Sequence, residues 1–145
     1  MRRILHLMLI ITILAGCTGM TSNNTYKQAQ GKVILNDQEY MMTVGDFEWK
    51  EEDFQFRKIS NSEVDEQSEE FDTLQVEQGE TLKIIIDQNP SSITLYQLSD
   101  DHSRTVVELN DNEMTLPRET GHYIYEVNVV WDQGRATYLF DVSIE

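Results

Sequence analysis

The chain has 145 residues, with 26 acidic side chains against 11 basic ones, a formal net charge of -15 and one cysteine. That length fits one domain, and the acidic balance argues against nucleic-acid binding, which needs a Lys/Arg surplus on one face. A single cysteine excludes an intramolecular disulfide and a cysteine zinc cage; five Phe, six Tyr and two Trp are enough to build a core.

Met1-Arg2-Arg3 places two cations ahead of Ile4 to Leu14, an aliphatic run interrupted by His6 and Thr12. A basic start, a short apolar run and then small residues is the layout of a secretory signal. The run is well short of the roughly 18 residues that span a bilayer as a helix. The small residues come directly before the cysteine, as Leu14-Ala15-Gly16-Cys17. All four positions fit the lipobox of bacterial lipoproteins, which this segment resembles. The resemblance implies a signal peptide over 1–16, cleavage between Gly16 and Cys17, and a diacylglyceryl thioether on the Cys17 sulfur at the new N-terminus. It places the protein on the extracytoplasmic face of the cell membrane, with the membrane as a partner through that lipid. Each buried methylene contributes about 0.8 kcal/mol, so two or three acyl chains give stable attachment. The competing readings are an ordinary secretory signal with a chance cysteine and an uncleaved N-terminal anchor. Loss of the first sixteen residues removes two cations and no acid, so the remainder is more acidic than the whole.

Residues 17–30 are polar and without periodicity, which predicts a flexible tether after the lipidated cysteine. From Gly31 the dominant period is two. Lys32 to Leu35 predicts a strand, Asn36-Asp37 a turn, and Glu39 to Val44 a second strand. Phe47-Glu48-Trp49 and Phe54-Gln55-Phe56 alternate around Lys50 to Asp53, which predicts a four-residue hairpin loop pairing Trp49 with Phe54 and Phe47 with Phe56. Ser60 to Asp72 is an acidic segment, expected to be an exposed loop. Strands are then predicted over Leu74–Glu77, Thr81–Ile86, Ser92–Leu98, Thr105–Leu109 and Met114–Leu116. Two long strands close the chain. Tyr123, Tyr125, Val127, Val129 and Trp131 share one face, and Ala136, Tyr138, Phe140, Val142 and Ile144 share one face of the next. Gly134 is expected to supply a positive φ to the turn between them.

With no sustained helical stripe and turn signals at close intervals, the domain over 31–145 is predicted to be an all-β antiparallel two-sheet sandwich. Pro117, then Gly121-His122-Tyr123 and the long final hairpin resemble the end of an immunoglobulin-like or fibronectin-like domain, here without a disulfide. That resemblance implies a tyrosine corner, with the Tyr123 hydroxyl bonding to upstream backbone. The tail from Gly121 to Val142 is also loosely similar to those of small lipoproteins of Bacillus-type Gram-positive bacteria, which brings no activity with it.

The residues offer little for catalysis. His6 leaves with the signal, His102 lies in a polar loop, His122 opens a strand, and no Gly-x-Ser-x-Gly elbow occurs. With 26 acids, chance carboxylate pairs are inevitable and carry no glycosidase signal. The 63–72 acidic run lacks the order of a calcium loop and reads as solvated. Met41, Met42 and Met114 read as core filler rather than copper ligands. No metal or cofactor is expected. The aromatic hairpin of Phe47, Trp49, Phe54 and Phe56, with Trp131, is either core or a stacking surface for sugars or a peptide, core being the commoner use. The expectation is a non-enzymatic binding or accessory module at the cell envelope, with an envelope protein or glycan as partner. The alternative is a proteinase inhibitor presenting the Asp87–Ser92 or Ser99–Arg104 loop.

Overall fold

The computed structural model describes residues 27–60, 66–67 and 69–145, and these are almost entirely β. The strands are β1 (Gly31–Leu35), β2 (Gln38–Met41), β3 (Thr43–Glu51), β4 (Phe54–Lys58), β5 (Leu74–Val76), β6 (Thr81–Ile86), β7 (Ser92–Leu98), β8 (Arg104–Val107), β9 (Glu113–Thr115), β10 (Gly121–Trp131) and β11 (Gly134–Ile144). They form two packed sheets, a small one in the order β2-β1-β6-β9 and a large one in the order β4-β3-β11-β10-β7-β8. The short strand β5 runs parallel to the end of β11, through Val142 to Ile144. The β6–β9 pair facing β8-β7-β10-β11 follows the strand order of immunoglobulin-type sandwiches. Two N-terminal hairpins widen that frame: β1–β2 joins β6, and β3–β4 joins β11. The expected tyrosine corner is present, with the Tyr123 hydroxyl donating to the Glu119 carbonyl at 3.0 Å.

Alternation explains the core. Tyr125, Val127, Val129 and Trp131 of β10 and Ala136, Tyr138, Phe140, Val142 and Ile144 of β11 are all buried. They meet Val33, Leu35, Leu82, Ile84 and Met114 of the small sheet in one cluster. Tyr125 stacks on Phe140 with centroids 5.1 Å apart. Burial raises the Tyr125 phenol far above its ordinary range. The Asn36-Asp37 and Asp111-Asn112 turns have both residues at positive φ, as two-residue type I′ hairpins require.

The structure departs from the sequence reading at several points. The segment expected as one strand over 39–44 is broken at Met42, which is buried and donates its N–H to the Gly31 carbonyl as the chain crosses from the small sheet to the large. The β3–β4 hairpin turns on Glu52-Asp53 alone, so Trp49 pairs with Phe56, Phe47 with Lys58 and Glu51 with Phe54. That is a slip of two residues, which leaves every side chain on its original face and is therefore invisible to alternation. Gly134 does not take a positive φ. Its need for hydrogen is steric: a Cβ there would lie 2.0 Å from the Glu48 carbonyl oxygen.

The tether expected over 17–30 has its last four residues packed into the domain. Ala29 is fully buried, its carbonyl accepts from the Tyr138 hydroxyl at 2.7 Å, and the Gln30 carbonyl accepts from the Asp87 N–H. The acidic segment is not wholly exposed either: Phe71 is buried edge-on against Phe140. Finally, the strand expected over 105–109 ends at Val107, ahead of the Asn110–Glu113 turn.

Candidate functional site

The residues singled out from sequence fall in different places. Phe47, Trp49 and Trp131 are buried and pack on one another, with Trp49 and Trp131 edge to face at 5.6 Å. The Trp131 indole also donates to the Asp87 carbonyl at 3.1 Å. Phe56 is half-buried against Phe47, and Phe54 is exposed at the end of the β3–β4 hairpin. The aromatic hairpin therefore supplies core, with Phe54 outside it. Met42 and Met114 are likewise core, while Met41 is exposed. Cys17 and Gly16 lie outside the described residues. Among the described residues, no group of three or more His, Cys, Asp or Glu is placed to hold a metal ion. The Asp87–Ser92 loop is tied down through Asp87 N–H to Gln30 and Ser91 N–H to Val130, and Gln88 and Asn89 hold positive φ. The Ser99–Arg104 loop closes on itself through Ser99 and Ser103.

Sequence reasoning passed over the other face of the large sheet. Positions alternating with the core residues should be solvated, yet Glu126 and Asp141 are each only 4% exposed and Leu139, paired with Glu126, only 1%. Thr137 sits opposite the β3 bulge, where Gly45 leaves room for its hydroxyl and for Gln67. That hydroxyl accepts from the Asp46 N–H at 2.8 Å. Asp141 Oδ2 accepts from the Thr73 hydroxyl at 2.8 Å and bonds His122 Nε2. Burying a carboxylate is costly unless it is paired, and His122 and Thr73 are what make Asp141 tolerable there. Arg104 does the same for Glu126, donating to Oε2 at 3.2 Å. Burial still pushes the Glu126 carboxyl above its ordinary range; Asp46 adds to that rise, and Arg104 and Asn128 oppose it.

The pairing is incomplete. Glu126 Oε1, Asn128 Oδ1 and Asp141 Oδ1 are buried without a hydrogen-bond partner among the described residues. Native structures leave few such groups, and each calls for an explanation. Beside Asn128 a cleft of about 520 Å³ opens across β4, β3, β11 and β10. Asp46, Glu48, Arg57, Asn128, Arg135 and Thr137 line it, and Ile59 and Val130 are apolar residues exposed at its wall. Arg135 grips Glu48 with two N–H groups at 3.1 and 3.2 Å.

Fold and site together define an all-β two-sheet sandwich with a cleft of mixed polar and apolar lining on the outer face of its large sheet. The chain matches no family model, no curated protein and no solved structure. Part of this face was within reach of the sequence. Once Trp131 pairs with Gly134, counting back along the hairpin sets His122 against Ser143 and Ile124 against Asp141. His122 and Asp141 are then diagonal neighbours. The bulge that brings Asp46 to Thr137 leaves no such signal.

Proposed function

We propose that this protein is a lipid-anchored, extracytoplasmic, non-enzymatic binding module that presents the outer face of its large sheet to a ligand at the cell envelope. The observation that carries the reading is the cleft of about 520 Å³ across β4, β3, β11 and β10, whose wall combines Arg57, Arg135 and Asn128 with the exposed Ile59 and Val130. Binding sites combine such shape with a few placed polar groups.

The anchor rests on Leu14-Ala15-Gly16-Cys17. A diacyl lipid on Cys17 raises the local concentration of the domain at the membrane face. The acidic surplus, larger once the first sixteen residues are removed, keeps the domain off anionic headgroups. Cys17→Ser in the full chain is expected to move the protein from the membrane fraction to the soluble one and to abolish incorporation of labelled palmitate. Unchanged membrane retention would contradict the anchor.

A further inference from the structure

Resting on that reading of the cleft, we propose that its ligand is a hydroxyl-rich anion, a short oligomer with carboxylate or phosphate groups on a polyhydroxylated chain. Charge is the first argument. The protein carries -15 overall, yet on the face that lines the cleft two cations, Arg57 and Arg135, balance two acids, Asp46 and Glu48. Both acids are already engaged: Asp46 Oδ1 accepts from the Ser60 N–H at 2.8 Å, and Glu48 Oε2 takes both bonds from Arg135. Arg57 pairs with Glu48 across β4 and β3 on the same face but has no ion pair among the described residues. A planar guanidinium left open at a cleft matches carboxylate or phosphate with two parallel hydrogen bonds.

The second argument is the amide at the other side. Asn128 is among the residues lining the cleft, and an amide side chain carries both donor and acceptor groups, which a hydroxyl matches and a fully ionised anion matches only in part. Ile59, near Arg57, and Val130, near Asn128, are 52% and 45% exposed and offer apolar surface to the C–H groups of a ring or polyol. Three strand spacings of about 4.8 Å, and two residues of rise along β10, separate Arg57 on β4 from Asn128, roughly 16 Å in all. That is the reach of a short oligomer rather than one sugar.

The test is titration of the full chain in detergent with four probes: a uronic acid trimer, a glycerol phosphate trimer, a neutral hexose trimer and inorganic phosphate. One or both anionic trimers are expected to bind, the tighter naming carboxylate or phosphate as the preferred group. Arg57→Gln, on an exposed edge position, is expected to weaken that binding about tenfold, with the circular dichroism spectrum unchanged. Equal binding of the neutral trimer would overturn the anion and leave the cleft as a binding site. Equal binding of inorganic phosphate, insensitivity to Arg57→Gln, or no binding by any probe would also overturn the proposal. The face itself is tested separately, by cross-linking from Val130 and Ile85.

Discussion

Gly134→Ala is expected to destabilise the fold by about 3 kcal/mol, at the upper end of the cost of overpacking. The added Cβ would sit 2.0 Å from the Glu48 carbonyl oxygen and 3.0 Å from both the Glu48 carbonyl carbon and the Trp49 Cα. All three are backbone atoms of β3, so no side chain can rotate away. Relief requires parting β3 from β11 where Gly134 pairs with Trp49, and that would also disturb the Lys50 N–H bond to the Gln133 carbonyl. Urea denaturation of the variant measures the loss. A change within about 0.5 kcal/mol, the range of ordinary surface substitutions, would mean that the two strands do not approach this closely.

Trp131→Ala is expected to cost about 3–5 kcal/mol, as large aromatic truncations in cores do. Trp131 is 4% exposed and packs against Trp49 at 5.6 Å and Phe47 at 6.3 Å. Its indole N–H also holds the Asp87 carbonyl, in the loop fastened to the N-terminal segment at Gln30. Truncation therefore opens a cavity and frees a carbonyl together. Val106→Ala, at a site 65% exposed, should change stability by less than about 0.5 kcal/mol. Comparable losses from the two variants would contradict the assignment of Trp131 to the core.

How much of this was legible in sequence depended on how local each feature is. The alternation of Tyr125 through Trp131 and of Ala136 through Ile144 marks the core faces of β10 and β11 without reference to the rest of the chain. Asn36-Asp37 marks its turn by the chemistry of positive φ. The β3–β4 slip was not legible, because a shift of two residues preserves both faces. The role of Gly134 was not legible either. It depends on β3, some ninety residues earlier in the chain, lying against the turn, a fact of topology rather than of local propensity.

The candidate site divides in the same way. Aromatic residues drew the sequence reading to the β3–β4 hairpin, since aromatics serve both cores and binding surfaces. Only the packing of Phe47, Trp49 and Trp131 decides between the two. The outer face was hidden because polar residues alternating with a core face look like ordinary solvated positions. Burial of Glu126 and Asp141, and the cleft that gathers Arg57, Arg135 and Asn128 from three strands, emerge only when strands distant in sequence are set side by side.

The most direct measurement of the proposed binding face is site-specific photo-cross-linking in intact cells that make the full chain. A photoreactive residue at Val130, exposed at the cleft on the large sheet, is compared with one at Ile85, exposed on the outer face of the small sheet. The expected result is a discrete heavier adduct from Val130 and none from Ile85. Equal adducts from both positions, or an adduct from Ile85 alone, would contradict the outer face of the large sheet as the binding surface.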